Sequence, residues 1–308
     1  MRHQVIFDTD IATDPDDLLA LAMLLGSPEV ELLGVTTVHA DVALRARYVQ
    51  ALLQLRGGPD VPIHAGLRHP LLRRREPYWE GHEGVGVLRD ELDLPPLSDV
   101  NAVRFLIDTV LARPGEVTLL ALGPLTNVAA AMLAEPRFAG SLKRVVSMGG
   151  IIATHGVEKR VSEHNIWLDP EAAHVVFTAA PQVELVPIDV TERVAIDTVG
   201  VEAIRAANTP FHAAVADQIV AYHRFHSRGQ RTYLHDPLAA VALLRPELLG
   251  WHDYLVKIEF EGAVTRGMTA AFRSDSPNAA VAMDVDVAAC RAFILERIVA
   301  GTRGGCDR

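Results

Sequence analysis

Short apolar runs rich in β-branched residues alternate along this chain with longer segments of helical period. Val5–Phe7, Glu31–Thr37, Val61–Ala65, Val117–Ala121, Arg144–Met148 and Val183–Pro187 read as strands. Between them, Leu18–Leu25, Leu44–Leu55, Ala102–Leu111, Asn127–Leu133 and Glu171–Thr178 read as helices. This rhythm predicts an α/β fold with an open, mostly parallel central sheet flanked by helices on both faces. After about Asp189 the rhythm weakens. Val201–Arg228 reads as largely helical, and His235–Leu244 as a helix. Leu255–Phe260 and Ala279–Val287 read as late strands at a sheet edge. Arg68–Pro96 and Ile151–His164 are long excursions of the kind that form lids or binding loops.

No linker-like cluster or repeat divides the 308 residues, so a single domain over 1–308 is expected, with 301–308 as a disordered tail. Aromatic residues are only 6%, which leaves the core to Leu, Val, Ile and Ala. The charge of −10 gives no electrostatic reason to bind nucleic acid or an anionic membrane. A cation or a neutral ligand is the easier partner. Cys306 lies too near the C-terminus for a structural disulfide with Cys290, which suits a reducing compartment. The N-terminus enters a strand without a signal-like apolar stretch, and no run approaches the ~18 residues of a membrane span. A cytoplasmic protein is expected.

The strongest chemical signal follows the first strand. Asp8, Asp10, Asp14, Asp16 and Asp17 crowd into ten residues before an apolar helix. Such density is costly unless a cation or hydrogen bonds offset the repulsion, and hard divalent ions prefer these oxygen ligands. Helix capping accounts for Asp14 or Asp16, but not for Asp8 and Asp10 at a strand end. Other polar motifs also follow strands, where ligands bind in open α/β sheets. Leu122–Asn127 turns into a helix, so its Thr or Asn reads first as a cap. Met148-Gly149-Gly150 allows close approach of the backbone. Glu163 and Asn165, two apart, would share a face of an extended segment. Asp169-Pro170-Glu171 reads as a helix start, and His235-Asp236-Pro237 as another.

Seven pieces in register, DTDIATDPDD, GVTTVHAD, VPIHAG, ALGPLTNVA, VVSMGG, EHNIWLDPEAA and LHDPLAAV, together resemble the inosine–uridine nucleoside hydrolase family. The resemblance covers nearly the whole chain. It implies a Rossmann-like core, Ca²⁺ as cofactor, and hydrolysis of ribonucleosides to ribose and free base. By that resemblance Asp10 is metal ligand and general base, Asp17 and Asp236 are carboxylate ligands, and Thr126 is a ligand through its carbonyl. Asp16, Met148, Glu163 and Asn165 would line the ribose site, and Asp8 would support it. His235 would sit near the nucleobase, where a pKa near neutrality would suit a general acid. Tyr222, Phe225, His226 and Tyr233 could contact the base or pack as a helix face. A homodimer or homotetramer is expected by resemblance.

Three departures matter. Five residues separate Asp10 from Asp16 where the family's shorter form has three, so Asp14 and Asp16 could exchange roles. Asp41 stands where many members carry Asn, and would alter ribose bonding or metal affinity. The loop Trp79–Gly84 resembles the family's histidine–glycine loop without copying it, which puts His82 in the substrate site by a weaker match. Two rival activities remain: a Mg²⁺-dependent phosphohydrolase, which would need basic residues near the site, and a nucleoside- or ribose-binding protein with little turnover.

Overall fold

In a computed structural model, residues 2–58, 60–78, 80–89, 92–153, 161–226 and 231–300 are described. The expected tail at 301–308, Trp79 and much of the second excursion fall outside these residues.

The chain begins β1 (His3–Thr9), α1 (Asp16–Leu25), β2 (Val30–Thr37), α2 (Val42–Arg56), β3 (Ile63–Ala65) and α3 (Ala102–Ala112). It continues β4 (Val117–Ala121), α4 (Thr126–Ala134), α5 (Arg137–Ser141), β5 (Arg144–Met148), α6 (His164–Leu168), α7 (Pro170–Ala179) and β6 (Val183–Val186). Then come α8 (Ile188–Thr191), β7 (Ala195–Asp197), α9 (Thr198–Arg205), α10 (Pro210–His226), β8 (Arg231–Tyr233), α11 (His235–Leu244), β9 (Leu249–Ile258), β10 (Thr269–Phe272), β11 (Ala279–Val285) and α12 (Val287–Ala300).

The main sheet runs β10-β9-β11-β6-β5-β4-β1-β2-β3. From β3 to β11 neighbouring strands pair in parallel, whereas β9 and β10 add antiparallel. This is the expected α/β architecture. Every residue of β4 is buried, as both faces of a parallel strand must be when helices cover them. One apolar cluster packs α1, α10, α11 and α12 on one face, and a second packs α3, α4 and α7 on the other. Among the described residues no helix is long and apolar enough to cross a membrane.

The late strands differ from expectation. β11 lies inside the sheet between β9 and β6, and β10 takes the edge. The helical stretch from Val201 is split, because Asn208 adopts φ +53 and Pro210 opens a new helix. β7 and β8 form a separate two-stranded ribbon that leads into α11. Within the first excursion the described residues form turns and bends rather than strands or helices.

Candidate active site

β1 and β4 end side by side, and α11 packs against α1, so Asp236 at the start of α11 meets the carboxylates that open α1. Asp16, Asp17 and Asp236 each offer an oxygen within 4.8 Å of the others, and all three are buried. Burial first, then the charges of neighbouring aspartates, Asp14 foremost for Asp16, Asp10 for Asp17 and Asp16 for Asp236, push all three carboxyls well above the usual carboxylate range. Asp10 is half-buried beside this group. Neither Asp14 nor Asp16 caps α1, whose N-cap is Pro15 with no side-chain bond. Asp14 instead sits exposed on the rim, where crowding by the surrounding chain and then the charge of Glu80 raise its pKa. Of the two residues left interchangeable by the sequence, Asp16 joins the cluster.

A ring of bonds holds the cluster from behind. The Thr9 hydroxyl donates to Asp17, and its oxygen accepts from Ile11 N at 3.1 Å. Asp8 is fully buried and accepts from Thr36 at 2.5 Å and from the Asn127 amide at 2.8 Å. Burial raises its carboxyl to about 7. Asn127 also donates to the Thr37 carbonyl at 3.1 Å and accepts from Leu67 N at 2.9 Å. Its side chain therefore ties the ends of β1 and β2 to the chain leaving β3, and is not the cap suggested by its position. The Thr126 hydroxyl donates to Asp169 at 2.7 Å, and Asp169 caps α7 as expected of a helix start.

The loop between β1 and α1 is propped by Arg45, a residue that carried no signal in the sequence. Its buried guanidinium donates to Ile11 O at 2.6 Å, His39 O at 2.9 Å and the Thr13 hydroxyl at 3.3 Å. Nearby, Ala12 has φ +98, in the left-handed region that a side chain rarely adopts. His82 reaches the same loop, with its Nε2 3.2 Å from Thr13 O.

The ribose candidates are arranged differently from the extended segment expected. Glu163 is the N-cap of α6, with its carboxylate accepting from Asn165 N at 2.8 Å, Gly150 N at 3.1 Å and Ile166 N at 3.2 Å. Asn165 lies inside that helix, and its amide donates to Leu122 O at 2.5 Å and faces the Met148 sulfur at 3.7 Å. The three residues still meet, because glycines 149 and 150 let β5 pass close to Glu163.

Two candidate residues have surroundings that the sequence did not suggest. Asp41 is exposed and caps α2 through Leu44 N at 3.0 Å, so its carboxylate serves the helix. His235 is half-buried, its Nδ1 sharing a hydrogen bond of 2.6 Å with the Thr191 hydroxyl. Burial pushes its pKa down to about 4, away from neutrality.

The donor set fits a metal ion. Three buried carboxylates converge, and hard oxygen ligands of this kind suit Ca²⁺ or Mg²⁺.

Comparison with known proteins identifies the family. The family model for inosine-uridine preferring nucleoside hydrolases matches residues 5–292. Uridine nucleosidase 1 of Arabidopsis thaliana is 35% identical over 273 residues, covering 85% of this chain and 80% of the relative. The inosine-uridine preferring nucleoside hydrolase of Leishmania major is 32% identical over 317 residues, covering 97% and 99%. A purine-preferring ribonucleoside hydrolase from Gardnerella vaginalis superposes with a TM-score of 0.86 at 29% identity, covering 97% of this chain and 99% of that one. The chain belongs to the inosine-uridine preferring nucleoside hydrolase family, and it is an enzyme that hydrolyses nucleosides.

Proposed function

We propose that this enzyme cleaves the C1′–N bond of ribonucleosides with Asp10 as general base, at a site where Asp16, Asp17 and Asp236 hold a calcium ion. The observation that carries the reading is the meeting of these carboxylates, from the two ends of the α1–α11 contact, within 4.8 Å of one another. The Thr126 carbonyl and Asp10 would complete the ligands. When bound there, such an ion would supply positive charge that acidifies water and attracts the sugar hydroxyls.

Asp10 accepts the proton of the water whose oxygen attacks C1′. The C1′–N bond breaks with its electrons going to the base, while positive charge grows on the ribose. The dense carboxylates favour that charge. Glu163, held by three backbone N–H groups, and Asn165 fix the sugar, with Met148 packed behind them. His235, neutral in its half-buried seat, offers the departing base a hydrogen bond rather than a resident proton. His82 approaches the same loop from the side.

A reducing-sugar assay with purine and pyrimidine nucleosides, run with and without a chelator, tests the reading. Ribose release that stops on chelation and returns with CaCl₂ is expected. Phosphate released from phosphate monoesters, with no ribose from nucleosides, would move the protein to the phosphohydrolases. Tight nucleoside binding with no ribose would make it a binding protein.

A further inference from the structure

A second group of potential ligands lies outside the aspartate cluster. Glu80 and His82 on the loop before Gly84, and His226 at the end of α10, each offer an atom within 4.8 Å of the others. We propose that these three residues form a separate metal site, which takes a borderline divalent ion of the zinc class and pins the 80–84 loop to the end of α10.

The donor chemistry differs from that of the aspartates. Two imidazoles and one carboxylate suit first-row ions of the zinc type, with a fourth position open, and not the all-oxygen preference of calcium. The protonation pattern is already set for it. His82 is 5% exposed, and its Nε2 faces the Thr13 carbonyl at 3.2 Å, which assigns the proton to Nε2. The lone pair then falls on Nδ1, which is buried, has no hydrogen-bond partner and lies 4.0 Å from Glu80 Oε2. A carbonyl behind the ring is the usual support of a metal-bound histidine. His226 repeats the pattern from the other side. Its Nε2 is buried and 3.3 Å from the same Glu80 oxygen, without forming a hydrogen bond.

The spacing is close to what an ion needs. Bonds of about 2.0–2.1 Å in a tetrahedron place ligand atoms roughly 3.3 Å apart. The Glu80–His226 pair meets that distance, and the Glu80–His82 pair must close by about 0.7 Å from its 4.0 Å. Around the group, Phe225 stacks on His82 with ring centroids 4.2 Å apart, and Tyr222 lies 4.4 Å from His226. Among the described residues, the loop is tied to the neighbouring aspartate loop by Gly84 N to Ala12 O, at 3.3 Å, and by His82.

The test is calorimetric titration of ZnCl₂ into the full chain, first stripped of metal and then saturated with CaCl₂. One zinc equivalent is expected. It should persist in Asp17→Asn, which breaks the aspartate cluster, and weaken at least about 100-fold in His226→Ala and in Glu80→Gln, both with unchanged circular dichroism. Zinc should also slow amide exchange across residues 80–85 in the wild type. Absence of zinc binding in the wild type, its survival in His226→Ala, or its loss in Asp17→Asn would overturn the proposal.

Discussion

Gly123 stands where one added methyl group would meet the Asp10 Oδ1 atom at 2.9 Å and the Asp10 backbone nitrogen at 3.0 Å. The same methyl would meet Val38 Cγ1 at 2.8 Å. Nothing can yield there without moving the carboxylate, because β1 and β4 are locked in register just below. Gly123→Ala is therefore expected to reduce turnover far more than stability. Misplacing a catalytic group by about 1 Å can cost ~10²-fold in rate. Measured kcat and melting temperature decide the matter. A variant with normal kcat would show that Asp10 tolerates displacement.

Asp10→Ala should abolish ribose release while the protein stays folded. Removing one carboxylate relieves repulsion on Asp16, Asp17 and Asp236, all of which feel its charge. The fold therefore loses little, whereas general-base help is worth ~10²–10⁴-fold. Normal turnover in this variant would remove Asp10 from the mechanism.

His235→Ala should lower turnover and leave calcium affinity unchanged. The ring binds Thr191, not the cluster, although Asp236 is its neighbour in sequence. Calcium titration of the variant, beside its kcat, separates the roles. Lost calcium binding would make the histidine a structural support of Asp236.

The parallel half of the sheet is legible because strands buried on both faces are apolar throughout, as at Val117–Ala121. β11 is legible as a strand, but its interior place is not, because that place depends on β9, already formed earlier in the chain, pairing antiparallel along its outer side. The reading of Val201–Arg228 as one helical stretch missed the break before Pro210, where Asn208 adopts φ +53. In the site, the aspartates announce themselves by charge density alone. Thr9, Asn127 and Arg45 do not, since each acts through a contact that only folding creates. Asn127 reaches Asp8 across 119 residues, and Arg45 reaches Ile11 across 34. The local rule that made Asn127 a cap was sound chemistry applied to the wrong neighbours.

Arg45→Met keeps most of the side-chain volume and removes the donors. The Ile11 and His39 carbonyls then lose buried partners, each at a cost of about 1–3 kcal/mol. The loop carrying Asp10 to Asp16 should loosen, with a lower melting temperature and a weaker calcium affinity together. A drop in stability with unchanged calcium affinity would confine Arg45 to the scaffold.

The last expectation concerns pH. Asp16, Asp17 and Asp236 have carboxyls raised above their unfolded value by burial and by neighbouring carboxylates. The folded, metal-free protein then binds more protons than the unfolded chain, so these groups lose their stabilising effect as pH rises past the ordinary carboxylate range. His39 and His235, both pushed down to about 4 by burial, act in the opposite sense: they favour the fold as pH rises toward the ordinary histidine value. A plain melting curve against pH mixes the two effects. The difference between calcium-loaded and dialysed, metal-free protein does not, because the histidine contribution is common to both. That difference should be small near pH 5 and grow toward pH 7.5, since the ligands must shed their protons to bind the ion. At a calcium concentration 100 times the dissociation constant it should approach ~2.7 kcal/mol. A difference that stays flat across this range would mean that these carboxylates are not the groups that hold the ion.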